Sequence, residues 1–452
     1  MHIEMKARSV QVIRETDVLV VGGGPAGIGA AVSAAKAGVR VLLLEKRGYL
    51  GGNITASFVE NCNYFFSGSS LKPCGVWNDM ETGYRALYSA GHDIRPGSKR
   101  FSSEYLKIYL DRFLQNYGVD FLFHSFVNEV VVDGGTIKAV IIQTKQGPVA
   151  VTARVIIDST GDGDVAFASG APFDQGRDTD GLCQPGTLSF RVAGVNAALL
   201  LEGGVDKLAA IGRKYKEDYR AGKTGLTCKR QDLPFGRLTA GGQVSYMNYP
   251  CEYGIDSTNI VDLTRGEVNC RSYIDEMMHY IRSNFEGFSH AELAAIGEEI
   301  SFRDSRRIRG RYRLTLDDME GDKQFDDVIA VYPRFYDMLS PDAEMDGDGG
   351  VEGRGYKGHI YVPVENDNTF QIPFGSLVPE KIDNLLISGR CISADHVAQS
   401  GIRAISACMQ TGEAAGAAAG IAIKDSVLPG NVDIKRLQGT LRAQGVVLPD
   451  CG

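Results

Sequence analysis

Residues 17–46 read DVLVVGGGPAGIGAAVSAAKAGVRVLLLEK, and this stretch decides the fold. A valine-rich run at 18–21 predicts a buried parallel strand. An alanine-rich run at 26–37 predicts the helix that follows, and a second apolar run at 39–44 predicts the next parallel strand. Between the first strand and the helix, glycines form a G-x-G-x-x-G pattern at Gly22, Gly24 and Gly27. Strand, glycine turn, helix and strand together predict the βαβ unit of a Rossmann-type α/β fold with a parallel sheet.

Each part of this unit has a task in holding a dinucleotide. The first glycine permits the tight turn, the second lets the backbone approach a pyrophosphate, and the third lets helix and strand pack closely. The helix N-terminus, at Pro25 and Ala26, offers free N–H groups to the phosphates. Glu45 closes the second strand and can accept hydrogen bonds from ribose hydroxyls. We therefore predict a bound adenine dinucleotide.

Three further segments extend this pattern along the chain. Residues 46–57 read KRGYLGGNITAS and contain a second glycine pair, and residues 153–165 read ARVIIDSTGDGDV, a strand that ends in Ser-Thr-Gly-Asp. Residues 384–393 read NLLISGRCIS, a short strand that ends in Gly-Arg, and a small-residue helix is predicted from about 402 to 423. The predicted N-terminus of that helix, near Gly401 to Arg403, would direct N–H groups at a cofactor carbonyl.

These segments resemble the FAD-dependent oxidoreductases of the glutathione-reductase type, whose relatives include fumarate reductase flavoproteins and thiazole synthase. The resemblance continues in CQPGTLSFRVAGV at 183–195 and RDSRRIRGRYRLTLDD at 303–318. It implies that FAD is the cofactor. Besides the residues named above from the first unit, it implies cofactor-binding roles for Lys46, Gly51, Gly52, Asn53, Thr160, Gly161, Asp162, Gly389, Arg390, Ile402 and Arg403.

The same patterns predict that the chain is organised in three parts. Residues 1–175 are predicted to form the first part of the FAD-binding domain, with a helix at 103–117 and a three-stranded β-meander over 127–153. Residues 176–345 are predicted to form an inserted α+β substrate or cap domain. Residues 346–452 are predicted to return and complete the FAD-binding domain.

Composition limits the other classes of function. The net charge of −8 offers no basic face for nucleic acid. The sequence has no secretory leader and no apolar run as long as a membrane span, so we expect a cytoplasmic protein. Nine cysteines include no close pair, which argues against a zinc site or an iron–sulfur cluster, and we predict no metal.

Candidate catalytic residues come from the middle and the end of the chain. On a helix, Arg303 and Arg307 would share one face and bind a carboxylate or a polar substrate, although an arginine run is more often a solvated face. His359 precedes a proline-bounded strand and could act as a general acid or base. His396, in the C-terminal return, is a further candidate for contact with the substrate.

Two kinds of function stay open at this point. The first is an oxidoreductase that transfers a hydride between the flavin and a small polar organic substrate, either by dehydrogenation or by double-bond reduction. The sequence has no second G-x-G-x-x-G and no CxxxxC after Gly52, so electrons would come from the substrate or from an external donor or acceptor. The alternative is a flavoprotein that uses FAD as a structural or electron-carrier group within a complex, without turnover of its own. Homo-oligomerisation and covalent attachment of FAD are left open.

Overall fold

The structure is a computed structural model that describes residues 8–61, 70–88, 93, 95, 100–341, 360–362 and 368–449. The strands are β1 Val12–Val21, β2 Val41–Leu44, β3 Asp120–Leu122, β4 Phe126–Asp133, β5 Thr136–Thr144, β6 Gly147–Asp158, β7 Phe173–Gln175, β8 Gly186–Thr187, β9 Phe190–Ala193, β10 Val244–Met247, β11 Cys251–Glu252, β12 Glu292–Ile296, β13 Arg306–Ile308, β14 Val328–Pro333, β15 Tyr336–Met338, β16 Ile360–Val362, β17 Thr369–Pro373 and β18 Leu385–Ile387. The α-helices are α1 Pro25–Lys36, α2 Asn53–Ala56, α3 Gly75–Tyr88, α4 Ser103–Asn116, α5 Asp164–Ala168, α6 Ala197–Leu200, α7 Leu208–Arg220, α8 Ile260–Asn284, α9 Leu316–Glu320, α10 His396–Ile402, α11 Ile405–Asp425 and α12 Ile434–Ala443.

The main sheet has the strand order β3-β2-β1-β6, and β18 pairs with the far side of β6. All of these neighbours are parallel, and Val20 of β1 stands opposite both Leu43 of β2 and Ile157 of β6. The first half of β6 also pairs antiparallel with β5, and β5 pairs with β4, which forms a three-stranded meander. The predicted parallel α/β sheet and the predicted meander are both confirmed.

Helices α1 and α11 lie directly against each other because small residues line their contact. A Cβ atom added at Gly412 would lie 1.9 Å from the backbone oxygen of Ala26, and one added at Gly416 would lie 2.2 Å from that of Ala30. Any larger side chain there would force the two helices apart. The glycines spaced by four residues in the C-terminal helix therefore serve close backbone packing against the first βαβ unit.

Two hydrophobic cores divide the described residues. The first contains β1, β2, α1, α4 and α11 together with most of residues 308–338 and 370–448. The second is built from residues 188–302, with β9, β10, α7 and α8 around it. Since residues 308–338 pack into the first core, we propose a substrate domain over 188–302, which is narrower than the predicted 176–345.

A buried carboxylate, Glu60, joins elements of the two cores. It is fully buried and accepts hydrogen bonds from the backbone N–H and the hydroxyl of Ser103, each at 3.0 Å. Arg191 Nη2 lies 3.2 Å and Arg237 Nε 3.4 Å from its two oxygens, and Ser245 Oγ also donates to it. Because α4 belongs to the first core while β9 and β10 belong to the second, this network fixes one core against the other.

Local predictions met different outcomes. The predicted helix at 103–117 is confirmed as α4. The predicted C-terminal helix was wrong at its start, because Gly401 and Ile402 end α10, and α11 begins only at Ile405, after Ala404 has left the helical conformation (φ −52°, ψ 137°). The helical arrangement considered for the arginine-rich segment does not form, because Arg306–Ile308 forms β13 and pairs with β7. Among the described helices, none has both the length and the apolar character that crossing a membrane requires.

Candidate functional site

A first cavity lies at the carboxyl ends of β1, β2, β6 and β18. Parallel strands direct these ends to the same edge of the sheet, which is where ligands of open α/β sheets bind. The predicted cofactor-binding residues that line this cavity are Gly22, Gly24, Pro25, Ala26, Glu45, Lys46, Gly52, Asn53, Thr160, Gly161, Asp162, Gly389, Arg390 and Arg403. The fold thus brings together side chains from four separate segments of the chain.

Three predicted cofactor residues lie outside this wall. A Cβ atom on Gly27 would lie 1.7 Å from the backbone oxygen of Gly22, so this glycine serves helix–strand packing. Gly51 donates a backbone hydrogen bond of 2.8 Å to Gly23. Ile402 is fully buried inside α10 and was assigned to the cofactor only because the helix start was misplaced.

Sequence reasoning missed other residues of the same wall. These are Val21, Leu44, Arg47, Ser125, Phe126, Val127, Ser159, Asp164, Glu299, Ser388, Ile405 and Cys408. Several directly adjoin predicted positions and could have been found by extending the motifs. Glu299 and the start of β4 carry no local signal, because only tertiary packing brings them to the cavity.

The N-terminus of α1 is suited to phosphate. Its N-cap is Gly24, which has no side chain to cap the helix, and the first intrahelical bond runs from Ile28 N to Gly24 O. The N–H groups of Ala26 and Gly27 therefore precede the helical hydrogen-bond ladder. A Cβ atom added at Gly24 would lie 3.8 Å from the Cα of Gly52, so two bare backbones face each other across this part of the cavity. An uncapped helix end between bare backbones fits a pyrophosphate.

Glu45 is held at the end of β2 by the backbone around it. Its Oε2 accepts the N–H of Gly23 at 2.7 Å, and its Oε1 accepts the N–H of Arg47 at 2.9 Å. The residue is 3 % exposed, and this exposed part faces the cavity. A carboxylate oxygen has two lone pairs, so Oε2 retains an acceptor position for a ribose hydroxyl.

Asp162 and Arg390 connect the β6 segment with the β18 segment. Arg390 Nη2 lies 2.6 Å from Asp162 Oδ1, and Ser305 Oγ donates to the same oxygen. Burial alone would raise the pKa of Asp162, but the charge of Arg390 and the two hydrogen bonds hold it below its usual value. The carboxylate thus stays ionised and fixes the guanidinium at the cavity wall.

A second cavity of about 600 Å³ adjoins the first. Asn53, Arg390, Arg403 and Ile405 line both cavities, and we call these four residues the shared wall. Most of the rest of the second cavity is formed by α7, the segment 230–235, part of β10, residues 301–303 and Asp337, and smaller parts by Val59, Asn61, Arg95, Asn248 and Ala404. It lies between the two cores, and its size suits a small organic molecule.

Positive charge dominates the described part of the second wall. Its cationic residues are Arg95, Arg213, Lys216, Arg230, Arg303, Arg390 and Arg403. Its carboxylates are Asp232 and Asp337. This excess stands out in a chain whose net charge is −8.

The predicted catalytic residues lie in different parts of the structure. Arg303 lines the second cavity, whereas Arg307 is 1 % exposed and donates to the backbone oxygens of Ala394 and Gly176 at 3.0 and 2.8 Å. The prediction that both arginines share a helical face was therefore wrong. His396 is buried outside both cavity walls, with its Nε2 2.6 Å from Asp304 Oδ2. His359 lies outside the described residues.

Comparison with known proteins agrees with the geometry of the first cavity. A model of the family described as FAD dependent oxidoreductase matches residues 17–441. Thiamine thiazole synthase of Aeropyrum pernix is 28% identical over 159 residues, which make up 32% of this chain and 54% of that protein. Sarcosine oxidase subunit alpha of a Corynebacterium species is 59% identical over 39 residues, 9% of this chain and 4% of that protein. This chain thus matches about half of the first relative and a small part of the second.

The comparison with solved structures found likenesses at low identity. The p-nitrophenol 4-monooxygenase of Pseudomonas putida superposes with a TM-score of 0.46 at 12% identity, over 95% of this chain and 84% of that one. The family match, by contrast, covers most of the chain, and the uncapped helix end, the apposed glycines and Glu45 suit the cofactor of that family. The chain belongs to the FAD dependent oxidoreductase family, and its cofactor is FAD.

Proposed function

We propose that the protein transfers a hydride between FAD and a small polar organic substrate bound in the second cavity. The observation that carries this proposal is the shared wall, because its four residues border both cavities at once. When bound, FAD supplies a group that accepts or donates two electrons. A substrate in the second cavity would then contact residues that also border the cofactor cavity.

The shared wall can also stabilise negative charge. Helix α11 begins there at Ile405, and its first intrahelical bond runs from Cys408 N to Ala404 O. The N–H groups of the first turn are therefore free, and a helix of 21 residues places a partial positive charge at this end. Arg390, anchored by Asp162, adds a full positive charge next to it. We assign to these groups the stabilisation of charge that develops during the transfer.

The remaining candidates take different roles in this proposal. Arg303 lines the second cavity and is proposed to bind the substrate. His359 remains our candidate for the proton donor or acceptor. Arg307 and His396 are held by hydrogen bonds outside both walls, and we propose structural roles for them.

Anaerobic stopped-flow spectroscopy tests the proposal. The FAD-loaded protein is reduced by light and mixed with small carbonyl compounds and alkenes, and the oxidised protein is mixed with alcohols and amines. We expect the flavin absorbance to change with a rate that saturates with one of these compounds. The variant Arg390→Gln should slow that rate, while Arg309→Gln, an exposed arginine paired with Asp174, should not.

The alternative function makes the opposite forecast. A flavoprotein that uses FAD only as a structural or electron-carrier group would react with oxygen or with a partner protein, but with none of the small molecules. That outcome would remove the proposal of hydride transfer and leave the family and the cofactor unchanged.

A further inference from the structure

Arg230 is a buried cation of the second cavity wall, and two of its nitrogens have no hydrogen-bond acceptor among the described residues. It is 8 % exposed, and the two nitrogens are Nε and Nη1. A guanidinium cannot lose its proton under ordinary conditions, so this charge persists. Buried N–H donors of a charged group that lack acceptors are unfavourable. An anion bound in the cavity would satisfy them.

Two further arginines of the same wall are incompletely neutralised. Arg303 donates to Thr187 Oγ1 at 2.8 Å and to the backbone oxygen of Pro185 at 3.4 Å, and both are neutral acceptors. Arg403 lies 3.7 Å from Asp337 Oδ2 and donates to the backbone oxygen of the same residue, but its Nε is buried without an acceptor. Three guanidinium groups thus face a space whose described wall contains two carboxylates, Asp232 and Asp337.

Mutual repulsion is visible in their electrostatics. Burial, and then the charges of Arg230 and Arg403, lower the pKa of Arg303 to about 10. This lowering means that the folded protein destabilises the charge of Arg303 in the absence of an additional anion. A bound carboxylate would relieve the repulsion among all three groups.

Other ionisable groups around the cavity neutralise this cluster only in part. Lys216 lies 3.4 Å from Asp232, and Arg95 Nε donates to Asp206 at 2.6 Å, so those charges are paired among themselves. Cys251 is 2 % exposed and lies outside the cavity wall, and its pKa is lowered to about 7 by a hydrogen bond with Cys228 and then by Arg230. Burial would lower the pKa of Arg230, but Cys251 and then Asp232 raise it. A thiolate of Cys251 is therefore an internal counter-ion whose part a variant can test.

We propose that the substrate carries a carboxylate and that Arg230, Arg303 and Arg403 bind it. This inference rests on the proposed function, and it specifies the class of the substrate. Arginine forks match the two oxygens of a carboxylate, and such charge-assisted hydrogen bonds are strong in a site removed from water. Because Arg403 belongs to the shared wall, the bound carboxylate would hold the rest of the molecule beside the cofactor cavity.

The test uses the FAD-loaded protein and two matched probes. Succinate and its neutral analogue succinamide are titrated at constant ionic strength, and binding is followed by the flavin absorbance spectrum and by the thermal unfolding midpoint. We expect succinate to bind and raise the midpoint, and succinamide to bind at least about tenfold more weakly. Equal binding of the two probes, or no binding of succinate, would overturn the proposal.

Variants separate the site from general charge effects. Arg230→Met should weaken succinate binding about 10- to 100-fold, because it removes one of the three guanidinium groups. Arg309→Met changes the net charge equally on the exposed surface and should leave binding unchanged. Succinate binding that is the same in Arg230→Met and in the wild type would contradict the assignment. Binding that appears only in Cys251→Ser would show that the thiolate is the native counter-ion, and it would also overturn the proposal.

Failure of this inference differs from failure of the proposed function. Turnover of neutral compounds without succinate binding would refute the carboxylate site and leave hydride transfer intact. Succinate binding without electron exchange with any compound would do the reverse.

Discussion

Two neighbouring glycines of the first turn allow cofactor binding to be separated from folding. Gly24 lines the cofactor cavity, and a Cβ atom added there has its nearest contact at 3.8 Å, an ordinary van der Waals distance. Its backbone (φ −75°, ψ −176°) is one that alanine adopts readily. Gly27 lies one turn along α1, outside the cavity wall, and a Cβ atom there would lie 1.7 Å from the oxygen of Gly22. We therefore expect Gly24→Ala and Gly27→Ala to fail in different ways.

The expected magnitudes follow from these contacts. Gly27→Ala must displace α1 by more than 1 Å, and such overpacking costs about 3 kcal/mol, at the upper end of its usual range. For a chain of this length about 1 kcal/mol corresponds to about 1 °C in the unfolding midpoint, so the apoprotein should lose about 3 °C. Gly24→Ala should leave the apoprotein within about 1 °C of the wild type. Its methyl group occupies the approach to the pyrophosphate, and a cost of about 1–3 kcal/mol there weakens FAD binding about 5- to 150-fold.

The assay measures both quantities on the same preparations. Circular dichroism gives the unfolding midpoints of the apoproteins, and isothermal titration calorimetry gives the dissociation constant of FAD. Gly439→Ala is the control, because a Cβ atom in that α12 position meets nothing within 4 Å. Wild-type affinity for FAD in Gly24→Ala would refute the assignment of this glycine, and an unchanged apoprotein midpoint in Gly27→Ala would refute the packing argument.

Three further predictions concern buried ionisable groups. Burial raises the pKa of Glu413 from 4.5 to about 8, although Val76 N donates a hydrogen bond to it at 3.0 Å. Between these two values the folded protein holds a proton that the unfolded chain releases. The free energy of unfolding should therefore fall by about 5 kcal/mol as the pH rises from 4.5 to 8. Glu413→Gln should abolish that slope in unfolding midpoints measured from pH 5 to 9, and a variant with the wild-type slope would contradict the assignment. Glu60→Ala removes the buried carboxylate that Arg191 and Arg237 share, and it should lower the free energy of unfolding by about 3–5 kcal/mol in a denaturant titration. A loss below 1 kcal/mol would exclude Glu60 as a link between the cores. His396→Asn should also destabilise the fold, because it removes the imidazole beside Asp304 and leaves the backbone N–H of Gln184 as a donor to that buried carboxylate, but it should not change the rate of flavin reduction. A slower rate at an unchanged midpoint would restore a catalytic role.

The sequence alone determined the dinucleotide-binding unit. Its signals are local: an apolar run of strand length, glycines at fixed spacing, an uncapped helix end and an acid at the end of the next strand. Each of these is set by backbone conformation within about thirty residues, so the order of the elements already implies where Gly22, Gly24 and Glu45 meet. The meander, helix α4 and the return of β18 beside β6 follow similar local patterns, and the structure contains all of them.

The location and the lining residues of the second cavity could be identified only from the tertiary structure. Arg230, Arg303 and Arg403 come from three distant segments, and no spacing in the sequence indicates that they face one space. Helical periodicity even suggested the wrong partner for Arg303, because pairing between β13 and β7 overrides the helix pattern and turns Arg307 into the interior. The proposed substrate site depends on how the two cores pack against each other. Contacts between elements that are distant in the sequence produce no periodic pattern in the sequence of either element.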